Sequence, residues 1–186
     1  MTNRQRPTVH NGPVVFSGPV HSGKTTFLAG AAAQWKASGL DVGGFLSVAR
    51  LKNGRGQGYD LVDLKDGTSA PFLTRKGEPD WPSIGPWHFY PAILEKARSI
   101  LHRDRDADVL VVDEIGPLEL GGEGLWPAFV EALAGGAICL CVVREDILDE
   151  FRARIGSKEP RVFRHGAPGV LESLTAALAA DREARV

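Results

Sequence analysis

The chain has 186 residues, 43% apolar and 24% charged, with a formal net charge of −1. That length fits one domain over residues 1–186 and buries enough surface to fold without a disulfide or metal staple. The near-neutral charge argues against a protein whose main task is gripping nucleic acid or an anionic membrane.

Residues 1–11 are polar and mildly basic. They are expected to form a flexible tail with no signal peptide. No window has the length of a membrane span, so a cytoplasmic protein is expected. Pro13 to Ser17 is a short apolar run with β-branched residues and reads as a buried strand ending at Gly18. Lys24 to Ser38 reads as a helix: Phe27, Leu28, Ala31, Ala32 and Trp35 share one face, and Gly39 stops it. Gly43 to Arg50 and Gln57 to Leu64 read as two antiparallel strands around Lys52-Asn53-Gly54-Arg55-Gly56, a hairpin turn sequence.

Thr68 to Tyr90 has four prolines and no clear period. It reads as a long irregular loop of the kind that serves as a lid. Its aromatics Trp81, Trp87, Phe89 and Tyr90 suit either stacking on a nucleobase or anchoring the loop. Pro91 to Asp104 reads as a helix with proline in its first turn. Asp108 to Asp113 is a continuous apolar run ending in acid, the pattern of a central parallel strand. Leu125 to Ala134 reads as a helix closed by Gly135-Gly136, and Ala137 to Val143 as the next buried strand. Within it Cys139 and Cys141 share a face and read as small apolar fillers. A helix over Arg144 to Ile155, a strand over Arg161 to His165 and a helix over Pro168 to Asp181 complete the order. This alternation implies a three-layer α/β/α fold with a mainly parallel sheet, to which the hairpin adds antiparallel strands.

Two short stretches carry chemistry. Gly18-Pro19-Val20-His21-Ser22-Gly23-Lys24-Thr25 fits G-x-x-x-x-G-K-[ST] at every fixed position, between a strand and a helix. Such a loop turns its backbone N–H groups onto phosphate oxygens, and the helix N-terminus adds positive potential. Gly18 to Thr26 are the expected nucleotide contacts. Lys24 supplies a point charge for the β and γ phosphates, and the Thr25 hydroxyl is a ligand for Mg²⁺. His21 reads as a solvated side chain or a phosphate contact.

Asp113-Glu114 closes a buried strand at the edge where open α/β sheets bind ligands. Asp113 suits Mg²⁺, and Glu114 suits the base that orients and deprotonates an attacking water. Arg144 ends the next strand. It suits a γ-phosphate contact, or a pairing with Glu145 or Asp146. Arg152, Arg154, Lys158, Arg161 and Arg164 form a basic stretch that reads as a solvated face or as the source of an arginine finger.

The run Asp113-Glu114-Ile115-Gly116-Pro117-Leu118-Glu119-Leu120 resembles the signature of the cancer-related nucleoside-triphosphatase family. Gly44-Phe45-Leu46-Ser47, Gly58 to Leu64 and Ile84-Gly85-Pro86-Trp87 resemble further segments of it. The resemblance implies a RecA-like P-loop fold and slow, Mg²⁺-dependent hydrolysis of ATP, GTP and other nucleoside triphosphates. It maps the family's lysine and threonine onto Lys24 and Thr25, and its acidic pair onto Asp113 and Glu114. The chain departs from the family where Val20-His21-Ser22 replaces a Pro-Gly-Val, where Gly56 replaces a hairpin arginine, and near Arg164-His165-Gly166, where an Asn-Arg-Asp is missing. Two other readings stay open: a P-loop kinase of a small metabolite or nucleotide, and a nucleotide-gated module with weak ATPase and an unidentified protein partner. A monomer or small homo-oligomer is expected. Glycines 116, 121, 122 and 124 suggest a mobile loop that responds to the γ-phosphate.

Overall fold

A computed structural model describes residues 12–52 and 55–185. The expected tail over 1–11 and the Asn53-Gly54 turn lie outside the described residues.

The first strand, β1 (Val14–Gly18), is fully buried and runs through the phosphate loop into α1 (Lys24–Ala37). The hairpin is β2 (Val42–Lys52) and β3 (Arg55–Asp63), paired antiparallel with Ala49 opposite Tyr59. Next come β4 (Ser69–Thr74), the short β5 (Ser83–Ile84) and β6 (Trp87–Phe89), and α2 (Pro91–Arg103). Then follow β7 (Val109–Ile115), a one-turn helix α3 (Pro117–Leu120), α4 (Trp126–Ala132) and β8 (Ile138–Arg144). A 3-10 turn over Glu145–Ile147 leads into α5 (Leu148–Ile155), β9 (Arg161–Arg164) and α6 (Val170–Arg185).

The sheet order is β5-β6-β4-β3-β2-β7-β8-β1-β9. From β2 to β9 the neighbours pair in parallel, and from β2 outward to β5 they pair antiparallel. Alternate residues of each central strand feed two apolar layers. Val14, Phe16, Leu140 and Val142 pack with Leu28, Trp35, Leu174 and Leu178 under α1 and α6. Val15, Cys139, Cys141 and Val143 pack with Leu101, Phe129 and Phe151 under α2, α4 and α5. This is the predicted three-layer architecture. The cysteines are buried fillers, and burial pushes the Cys139 thiol up to about 12.

The structure corrects the reading of Thr68 to Tyr90. This segment is no structureless lid, because β4, β6 and β5 extend the sheet beyond the hairpin. Its strands are two to six residues long, too short to show a period of their own, and pair antiparallel with near neighbours in the chain. Trp81 packs on Tyr90 and Phe89 on Phe72, so these aromatics anchor the segment.

An ionic knot of two buried carboxylates under an exposed arginine ties the far end of the hairpin to α2. Arg103 bonds both Asp63 and Asp104, and Asp104 also accepts from the Gly44 amide at 2.8 Å. Burial alone would raise the Asp63 carboxyl. The Arg103 hydrogen bonds and the Lys65 amide outweigh it and hold Asp63 below its ordinary value.

Candidate active site

The phosphate loop is shaped by two glycines with different jobs. Gly23 sits at φ 95° with open space around any added Cβ, so glycine is needed there for conformation alone. A Cβ on Gly18 would come within 2.9 Å of the His165 Cβ, so glycine is needed there for close approach. His21 is the one non-glycine residue at positive φ among the described residues, at 58°. A histidine held in this left-handed turn costs on the order of 1 kcal/mol relative to glycine. Strain of this kind persists where the surroundings fix it.

Lys24 opens α1 with its side chain folded back under the loop. Its Nζ donates to the carbonyls of Gly18 at 3.0 Å and Pro19 at 2.6 Å, and the residue is buried. The N-terminus of α1 therefore adds to a fixed positive charge. The Ser22 hydroxyl is buried with no partner inside the loop, and so is the Ser17 hydroxyl at the end of β1.

The acidic pair is presented by a bulge. Val112 pairs with Cys141 and Ile115 with Val143, so Asp113 and Glu114 together oppose one residue of β8. Bulges re-aim side chains in this way. Asp113 is 2% exposed, its Oδ2 accepts from the Ser47 amide of β2 at 3.2 Å, and Thr25 lies close enough to lower its pKa. Burial pushes it up to about 6, against the Thr25 and Ser47 hydrogen bonds and the Lys24 charge. Burial and the neighbouring Asp113 charge push Glu114 up to about 7, opposed by Lys24 and Arg144. Glu114 Oε1 is buried without a partner.

Gly18, Lys24, Thr25, Asp113 and Glu114 thus lie together at one edge of the sheet. Arg144 stands in register with Gly18 across β1 and β8. It makes a two-pronged pair with Asp146, both contacts at 3.1 Å, while its charge still reaches Glu114. The basic stretch is engaged locally: Arg152 pairs with Asp149, Arg164 with Glu145 and Arg161 with Asp181, Arg154 lies over Trp126, and Lys158 bonds the Leu133 carbonyl.

Sequence reasoning missed Glu119. This buried carboxylate accepts from the Gly116 amide at 3.0 Å and the Leu125 amide at 3.3 Å. Burial raises its pKa against those two bonds. The segment after the acidic pair, expected to be a mobile glycine loop, is instead stapled at both ends by one side chain. The signal that could have found it is the spacing Gly116-Pro117-Leu118-Glu119, a proline opening a helix with glutamate at its third position.

A phosphate loop on one strand and a buried acidic pair two strands away define a P-loop nucleoside triphosphatase. A family model described as NTPase matches residues 13–165, and the chain belongs to that family. The nucleoside-triphosphatase THEP1 of Methanopyrus kandleri is 33% identical over 129 residues, 69% of this chain and 67% of that protein. Its counterpart in Ignicoccus hospitalis is 29% identical over 150 residues, 81% of this chain and 85% of that one. The solution structure of a human cancer-related nucleoside triphosphatase superposes with a TM-score of 0.68 at 28% identity, covering 90% of this chain and 96% of the other. The protein is an enzyme that hydrolyses nucleoside triphosphates. No helix among the described residues is long and apolar enough to cross a membrane.

Proposed function

We propose that the protein removes the γ-phosphate of ATP and GTP as a Mg²⁺-dependent phosphohydrolase of the cytoplasm, with Lys24, Thr25, Asp113 and Glu114 as its working side chains. The observation that carries this reading is the buried Asp113 carboxyl with Thr25 close by, beside an unpartnered Glu114 oxygen. A buried carboxylate next to a hydroxyl suits a hard cation that takes oxygen ligands and keeps several waters. Thr25 and Asp113 would hold Mg²⁺, which would neutralise charge on the phosphate oxygens.

The chain's own residues do the rest. The amides from Val20 to Thr26 face the phosphates, and Lys24 exchanges its loop carbonyls for phosphate oxygens. Glu114, at about 7, is poised between its two protonation states near neutral pH. It orients the attacking water and accepts its proton. Arg144 stabilises the ionised Glu114 and, on leaving Asp146, reaches the developing charge.

Glu114→Gln tests the assignment. It is expected to keep nucleotide affinity and to lose about 10²–10⁴-fold in phosphate release, the range for a general base. Undiminished release would remove Glu114 from that role.

A further inference from the structure

A cavity of about 330 Å³ opens beside the phosphate loop, on the hairpin side. Ala49, Leu51, Tyr59, Arg75 and Trp87 line it, and His21 joins it to the loop. Its volume falls at the lower end of the range for small-molecule pockets.

Three features define what it fits. The Arg75 guanidinium lies over the Trp87 ring, 4.5 Å from its centroid. Among the described residues no carboxylate pairs with Arg75, whose edge N–H groups are free to grip a planar or tetrahedral anion. Tyr59 stands edge-on to the same ring at 5.2 Å and 78°, holding Trp87 in place. Leu51, which is 65% exposed, and Ala49 give an apolar wall for a flat ring.

The position is equally specific. In the sheet, β7 with its acidic pair stands between the phosphate-loop strands and the hairpin. The cavity is walled by β2, β3 and β6, beyond the acidic pair as seen from β1. Glu114 and Asp113 are near enough for their charges, added to burial, to raise the Tyr59 phenol. The opposite flank of the loop is closed by β9, where His165 packs against Phe16 and Phe27. The cavity therefore lies on the hairpin side of the acidic pair, away from β1 and β9, with His21 linking it to the phosphate loop.

We propose that this cavity is a second ligand site, separate from the triphosphate, for a small molecule with one flat aromatic ring and one carboxylate or phosphate group. Arg75 takes the anion, and the ring lies against Leu51 and Trp87. The site gives the enzyme a means of sensing or accepting a partner molecule next to its γ-phosphate.

Calorimetric titration with phenyl phosphate and with 4-hydroxybenzoate tests it, on protein saturated with Mg²⁺ and a non-hydrolysable ATP analogue. One of these probes is expected to bind with one-to-one stoichiometry. Phenol, which lacks the anion, and inorganic phosphate, which lacks the ring, are each expected to bind at least about tenfold more weakly. Arg75→Ala is expected to weaken the anionic probe by about tenfold or more while leaving affinity for the ATP analogue unchanged. Arg75 is exposed and unpaired among the described residues, so this variant keeps the fold. Three results would each overturn the proposal: no heat from either probe up to about 5 mM, equal binding by Arg75→Ala, or competition between probe and ATP analogue. None of them bears on Mg²⁺-dependent hydrolysis, which is measured without any probe.

Discussion

Asp113→Asn is expected to make the metal-free protein more stable while disabling it. The carboxyl titrates at about 6 in the fold against 3.8 for an ordinary aspartate, chiefly through burial. A raised acid favours the fold fully below its unfolded value, and this contribution is lost as pH rises through the folded one. At pH 8 the buried charge therefore costs roughly 3 kcal/mol, and at pH 5 about half of that. Asparagine removes the charge but weakens the bonds from the Ser47 amide and the Thr25 hydroxyl, a loss on the order of 1 kcal/mol. The net gain at pH 8 is about 2 kcal/mol, or roughly 4–8 °C in Tm for a chain of this size. Differential scanning calorimetry of both proteins in EDTA at pH 8 and pH 5 reads the difference directly. Added Mg²⁺ and nucleotide should raise the wild-type Tm and leave the variant little changed. A variant Tm at or below wild type at pH 8, or a gap that does not shrink at pH 5, would refute the reasoning.

Other outcomes follow from the same geometry. Glu119→Ala leaves the buried Leu125 amide without a partner and removes the bond to the half-buried Gly116 amide, so it should destabilise by roughly 1–3 kcal/mol, read in a urea titration. Phosphate release should fall as pH drops through the Glu114 value of about 7, since the base must be ionised. Arg144→Ala removes a charge that lowers the Glu114 value, so the acid limb of the pH–rate profile should move to higher pH. An unmoved limb would separate Arg144 from the base.

The sequence shows most clearly what is locally encoded. The strand–loop–helix from Val14 to Ala37 is marked by one apolar run, one spacing of glycine and lysine, and one helical face, all within a short stretch. Val109 to Glu114 is legible for the same reason, being apolar until it meets the acids. The strands between Ser69 and Phe89 escaped because they are short and the stretch is interrupted by prolines, so no alternation is long enough to read. The Glu119 bond to Gly116 follows the N-cap to N3 spacing of a capping box and was legible after Gly116-Pro117, whereas its bond to Leu125 depends on the fold. The cavity escaped similarly, since Tyr59, Arg75 and Trp87 come from separate stretches and meet only across the folded hairpin.

Phosphate release from ATP, GTP, CTP and UTP, each with Mg²⁺ and with EDTA, for wild type and Lys24→Ala, tests the central claim most directly. Release from the wild type that needs Mg²⁺ and vanishes in Lys24→Ala is the predicted result. Release that survives either EDTA or the loss of Lys24 would contradict it.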